Sequence, residues 1–166
     1  MIALLIFVVG AGTAVQLLLG VMAHLRTSRE RAQALEAAQN VLETLQGEAF
    51  TEVFARFNAT PADDPPLGVS PGRSFPVAGL NARPGDADGL PGEILFPGGG
   101  VLLLENVADV EVGMPRDLNG DGAIDAADHS ADYRVLPVRV RVLWRGAGGD
   151  QELEIAAALT NVRNVP

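Results

Sequence analysis

Twelve residues late in the chain, Asp117-Leu-Asn119-Gly-Asp121-Gly122-Ala123-Ile124-Asp125-Ala-Ala-Asp128, carry the densest chemistry in the sequence. Oxygen-bearing side chains fall at the first, third, fifth, ninth and twelfth positions of this stretch, and glycine falls at the sixth. A hard divalent cation takes about six to eight oxygens, and a loop that wraps one needs a residue free of steric limits where the chain bends most sharply. The spacing predicts one Ca2+, held by Asp117, Asn119, Asp121, the backbone carbonyl of Ala123, Asp125 and Asp128. The ion's expected role is structural, because four clustered carboxylates repel one another without it. Aspartate at the twelfth position has a shorter arm than the glutamate an EF-hand uses there, and Val112-Gly-Met-Pro115 gives no entering helix. The expectation is a lone loop set between strands. His129 is expected to be a solvated neighbour of the loop, and Asp86 and Asp88 to be turn residues.

Little else in the chain suits catalysis. There is no cysteine, so thiol chemistry, thiolate metal sites and disulfides are excluded. The two histidines, His24 and His129, stand far apart in sequence, and no serine lies in a nucleophile motif. With 21 acidic against 12 basic residues and a net charge of −9, the chain has none of the clustered cations that phosphate contacts require. Neither an enzyme nor a nucleic-acid binder is expected, and no small-molecule substrate.

The elements that must carry the loop begin with an apolar segment. Residues Met1 to Ala23 contain no charged side chain, and twelve of them are Ile, Leu, Val or Phe. At about 1.5 Å per residue this length spans a hydrocarbon core of about 30 Å, and its insertion gains at most about 4 to 7 kcal/mol. Residues 1–25 are therefore expected to form a transmembrane half-helix that includes Ile2, Leu5, Phe7, Val9, Leu18 and Leu19, with Gly10, Gly12 and Gly20 either as ordinary transmembrane glycines or as points of close helix approach or local unwinding. The pattern continues through Arg26, Arg29, Glu30 and Arg31 with no proline, so one rod is expected to run on through residues 26–57 as its amphipathic half. Its stripe, Leu35, Ala38, Leu42, Leu45 and Ala49, recurs at spacings of three and four. A further turn brings Phe50, Val53, Phe54 and Phe57. Leu35, Leu42, Leu45, Phe50 and Phe54 are the residues expected to pack on a sheet.

That sheet is expected in residues 58–166. Pro, Gly and Asp dominate from Asn58 to Gly100 and predict irregular structure, interrupted by two short edge strands at Ser74–Ala78 and Glu93–Phe96. Val110 and Val112 alternate with Asp109 and Glu111, which predicts a half-buried strand over residues 101–112. The strongest strands are Tyr133–Trp144, where Val138, Val140 and Val142 alternate with Arg139 and Arg141, and Gln151–Thr160, joined as a hairpin through a Gly-rich loop. The only cover available for the apolar face is the helix stripe, so the fold class is α+β, a long N-terminal helix on a small antiparallel sheet.

The calcium stretch resembles the loops of dockerin modules, which also end in aspartate. The opening Met1-Ile-Ala-Leu-Leu-Ile-Phe7 and the later Arg31-Ala-Gln-Ala-Leu-Glu-Ala-Ala-Gln-Asn-Val-Leu-Glu43 resemble the N-terminal helix of type IV pilin-like proteins, in particular the minor pseudopilins of type II secretion systems. The resemblance covers about the first 57 residues, and the last strand pair fits the family's sheet loosely. It implies a filament subunit that is held in the inner membrane by a single span, carries its C-terminal domain in the periplasm or outside the cell, and assembles with other pilin or pseudopilin subunits. The basic leader and early glutamate of the family do not stand in this sequence, and the expectation is that Met1 is an internal methionine of a longer prepilin. Arg26, Arg29 and Arg31 behind the span would place the domain in the cytoplasm by the positive-inside rule. The calcium loop suits the ion concentrations outside cells and favours the opposite orientation. The alternative is a single-pass surface protein whose dockerin-like loop mediates calcium-dependent binding.

Overall fold

The structure is a computed structural model that describes residues 2–65 and 70–161, with the backbone alone for residues 2–15. It is an α+β fold. Helix α1 runs without interruption over Ile2–Gly47, and α2 follows over Phe50–Phe57. Four strands, β1 (Ser74–Phe75), β2 (Gly92–Leu95), β3 (Val135–Gly146) and β4 (Gly149–Thr160), form one antiparallel sheet in the order β1-β2-β3-β4.

The centre of the sheet is the β3–β4 hairpin. Its ladder runs from Val135 opposite Thr160 to Gly146 opposite Gly149, so the turn is the two residues Ala147 and Gly148. Along β3 the alternation of side chains sorts the two faces. Val138, Val140, Val142 and Trp144 are buried beneath α1 and α2. On the other face Arg139 pairs with Asp109, Glu111 and Glu154, and Arg141 pairs with Glu93 at 2.8 Å. Full burial of each valine contributes about 1.5 to 3 kcal/mol, so this single strand supplies much of the drive for docking the helices.

Two apolar clusters lie between the layers. One gathers Ala34 and Ala38 of α1 against Val140, Val142 and Trp144 of β3 and Leu153 of β4. The other gathers Leu45 of α1 and Val53, Phe54 and Phe57 of α2 around Leu136 and Val138. Leu42 and Phe50 are partly buried against these clusters, as their place in the stripe predicts. Leu35 and Ala49 are not part of the core. Leu35 is 41 % exposed, and the contact passes one residue earlier, through Ala34. Two alanines, with no side chain beyond Cβ, let the helix lie close to a strand that already carries a tryptophan.

Three other expectations are corrected. The rod does not continue to residue 57, because the chain bends at Glu48 and Ala49 and α2 is a separate helix. The stretch 101–112 is not a strand. It is loop ending in a single 3₁₀ turn at Val110–Val112, with Val110 88 % exposed and Val112 buried. Gly113, at φ +73, ends that turn with a bend open chiefly to glycine. Of the two short strands only β1 is an edge. It stops at Phe75, before Pro76, while β2 is internal and pairs with both β1 and β3.

Of the residues expected in the membrane half, Ile2, Leu5, Phe7, Val9, Gly10 and Gly12 lie on helical backbone, but their side chains fall outside the described residues. Leu18 and Leu19 are exposed, together with Leu17, Val21, Met22 and Leu25. Among the described residues no helix is long and apolar enough to cross a membrane. Most of the expected span lies in residues 1–15, whose side chains fall outside the described residues.

Candidate metal centre

The acidic stretch forms a closed loop on the sheet's flank between the Val110–Val112 turn and β3, with no helix on either side. Its base is tied at one point. The buried Leu118 accepts through its carbonyl from the N–H groups of Arg134 at 2.7 Å and Val135 at 3.0 Å. A second tie runs along Leu103, whose carbonyl accepts from His129 N–H at 2.9 Å and whose N–H donates to Asp128 Oδ1 at 3.0 Å. The loop is thus held at its entry, its exit and its twelfth position.

Inside it, the side chains fold over their own backbone. Asp117 accepts from the N–H groups of Gly120 at 2.6 Å and Gly122 at 2.8 Å. Asn119 Oδ1 accepts from Asp121 N–H, Asp121 Oδ1 from Ala123 N–H, and Asp125 Oδ1 from Ala127 N–H. Gly122, at φ +89, makes the bend that the sixth position demands. The N–H of Gly122 is the foremost group holding Asp117 below the usual carboxylate range. Asp125 is lowered by Ala127 N–H and then by the His129 ring. Burial pushes Asp128 up, but the donors Leu103 N–H and Ser130 outweigh it and the net direction is down. Local donors thus favour the charged form of all three carboxylates.

The carboxylates of the loop are unevenly engaged. Among the described residues Asp117, Asp121 and Asp128 make no direct ion pair, the Arg134 guanidinium acts on Asp117 from beside Gly120, and the loop itself carries no basic side chain. Asn119 lies beside Asp121 and also reaches Asp132, with 3.2 Å from its Nδ2 to an oxygen of each. Asp128 is turned away. Its Oδ1 accepts from Leu103 and Ser130 N–H, and its Oδ2 accepts from the Ser130 hydroxyl at 2.9 Å. Each oxygen of Asp128 keeps a further lone pair, so ligation there would share the carboxylate with these donors. The carbonyl of Ala123 lies on the exposed outer half of the loop.

Two residues of the site, Glu105 and His129, lie outside the ligand spacing. Glu105 is 1 % exposed, and its carboxylate reaches under the loop to accept from the N–H groups of Leu118 at 2.5 Å, Asn119 at 3.3 Å and Asp125 at 3.3 Å. His129 is not a solvated neighbour. It is buried at 5 % exposure, with Nδ1 3.0 Å from Asp132 Oδ1 and Nε2 3.3 Å from Asp125 Oδ1 and 3.7 Å from Glu105 Oε2. Burial alone would lower its pKa, but the bonds to Asp125 and Asp132 prevail and the net direction is up. Glu105, Asp125 and His129 offer three ligand atoms that lie within 4.8 Å of one another. The available clue was Glu105 itself, a lone carboxylate after Val101-Leu-Leu-Leu104. Asp86 and Asp88 stay outside the site, and Asp88 caps its turn by accepting from Leu90 N–H.

Fold and site together define a helix-on-sheet protein with an acidic, cation-suited loop on its flank. The chain matches no protein-family model, no curated protein and no solved structure.

Proposed function

We propose that the chain is a structural subunit of a pilin-like filament, of the type IV pilus or type II secretion pseudopilus kind, assembled through α1 and stiffened by a Ca2+ ion in the loop 117–128. The observation that carries this reading is the division of labour along one unbroken helix. Its rear third is buried on the sheet through Ala34, Ala38 and Leu45, while Leu17, Leu18, Leu19, Val21, Met22 and Leu25 are all more than half exposed. Covering six such side chains, at about 1.5 to 3 kcal/mol each when fully buried, is worth on the order of 10 kcal/mol. Lipid can supply that cover before assembly, and the same helices of neighbouring subunits can supply it afterwards. Continuity matters, because a rod passes the position of its buried half to its bare half, whereas a hinged anchor does not.

The calcium assignment rests on the oxygen spacing, the left-handed Gly122 and the absence of basic residues from the loop. In this reading Asp117, Asn119, Asp121, Ala123, Asp125 and Asp128 hold the ion, which neutralises their repulsion and locks the loop against β3.

The chain has no native cysteine, so the test is direct. Leu18→Cys and Val21→Cys variants are expressed in the source cell and oxidised. The reading expects both to sediment with the membrane and to cross-link to further copies or to sibling subunits. Recovery of both as free monomers in the detergent-free soluble fraction would overturn it.

A further inference from the structure

Glu105, Asp125 and His129 differ in chemistry from the calcium ligand set. An imidazole nitrogen is a poor ligand for Ca2+, which takes oxygen, and a good one for Zn2+ and its neighbours in the first transition row. Zn2+ takes carboxylate oxygen as well as imidazole nitrogen, and three protein ligands leave a fourth tetrahedral position for water. Around a tetrahedral ion with bonds of about 2.1 Å, ligand atoms stand about 3.4 Å apart. His129 Nε2 lies 3.3 Å from Asp125 Oδ1 and 3.7 Å from Glu105 Oε2, and all three atoms fall within 4.8 Å.

Two features separate this group from a chance gathering of acids. First, the ring is already aimed. Asp132 Oδ1 stands 3.0 Å from Nδ1, which is the carboxylate–histidine arrangement that fixes a metal-binding tautomer and leaves Nε2 to the ion. Second, the charge is unbalanced. Glu105 is 1 % exposed, and among the described residues His129 is its one ion-pair partner, while Asp125 and Asp132 also draw on that imidazole. Three backbone N–H groups solvate the Glu105 carboxylate but carry no net charge, and one shared ring serves three carboxylates poorly.

We propose that Glu105 Oε2, Asp125 Oδ1 and His129 Nε2 form a second metal site, selective for a borderline divalent cation of the zinc class, with Asp132 positioning the imidazole and water completing the shell on the solvent side of Asp125. This site lies beyond the calcium reading and does not depend on it. Asp125 can belong to both, because the ninth position of an EF-type loop often reaches its ion through water. The zinc would tie the floor of the loop, through Glu105, to its exit at His129.

The test uses the full chain in detergent, stripped with chelator and titrated with Zn2+ alone by calorimetry. One zinc per chain is expected. His129→Gln should lose at least about tenfold in Zn2+ affinity and Asp132→Asn about tenfold, while His24→Gln is unchanged. Asp117→Ala should lose Ca2+ and keep Zn2+, so the two sites fail separately. Where His129→Gln does not fold by circular dichroism, wild-type protein loaded with Co2+ gives the same answer, through a ligand-field spectrum and the loss or shift of the His129 ring signals with His24 unaffected. No zinc uptake by wild type, equal uptake by a folded His129→Gln, or unperturbed His129 signals with Co2+ would each overturn the proposal.

Discussion

Tyr133, the chain's one tyrosine, sits where the acidic loop runs into β3, and its hydroxyl ties this stretch to the helical layer. It donates to the carbonyl of Phe50, accepts from the N–H of Phe54 at 3.4 Å, and its ring packs at 4.9 Å from that of Phe50. Burial pushes its pKa up from 10.0 to about 12, although the Phe54 N–H works in the other direction. The chain has no lysine and no cysteine, so between those two values Tyr133 is the one side chain that titrates before arginine begins to. In that window the unfolded chain has released its phenolic proton and the folded chain has kept it. The unfolded state therefore binds fewer protons, and stability falls as pH rises from 10 and levels off above 12. Two pKa units correspond to about 2.7 kcal/mol, and about 2 kcal/mol is expected because the hydroxyl keeps a polar neighbour in either form. Denaturant unfolding at half-unit pH steps, read beside phenolate absorbance, measures both sides of the linkage. Tyr133→Phe should lose about 1 kcal/mol at neutral pH, from the missing hydrogen bonds, and then hold constant stability where the wild type declines. A native phenolate midpoint near 10, or a parallel alkaline decline in Tyr133→Phe, would refute the reasoning.

Two further outcomes follow from other parts of the molecule. Asp121→Ala should lower the melting temperature in calcium and leave it unchanged in chelator, and equal melting of variant and wild type in calcium would remove the calcium assignment. Gly92→Ala should cost about 1 to 3 kcal/mol in denaturant unfolding, because a Cβ there would meet the Phe75 ring at 2.2 Å in the tight register that places Phe75 over Gly92; a neutral result would show that β1 is not fixed at that edge.

Where a local pattern is repeated, the fold is readable without coordinates. Five alternating residues from Val138 to Val142, followed by a Gly-rich turn, specify the β3–β4 hairpin, because a one-residue slip would turn every valine out to water. The misreadings occur where a pattern is short or where the distant partner decides. Val110-Glu-Val112 alternates over only three residues, and its neighbours settle the matter. Met114 N–H and carbonyl both bond to Asp109, closing a tight loop where a strand was expected. The spacing of three and four passes through Leu35, yet the close approach of helix to sheet selects Ala34. Reading through Gly47 merged two helices. In the loop, ligand spacing is local and therefore visible, whereas the approach of Glu105 and the burial of His129 depend on Leu103 pairing with residues twenty-five and twenty-six positions later, which no short-range pattern encodes.

The place where α1 leaves the globular layer is itself set by a specific contact. At the hairpin tip Ala147 N–H lies 3.3 Å from both carboxylate oxygens of Glu30, and a Cβ on Gly146 would stand 2.3 Å from Glu30 Oε2. A side chain at 146 would push the Glu30 carboxylate off the tip and crowd the Trp144 indole nitrogen. The apolar side chains exposed ahead of this contact begin at Leu25, just before the first charged residue of the chain, Arg26. The boundary drawn by packing and the boundary drawn by charge therefore coincide within a few residues. A helix docked at random on a sheet would have no reason to match them. A subunit that must keep its domain clear of a bilayer, or of a neighbour's helix, while exposing everything ahead of Arg26 would need that match.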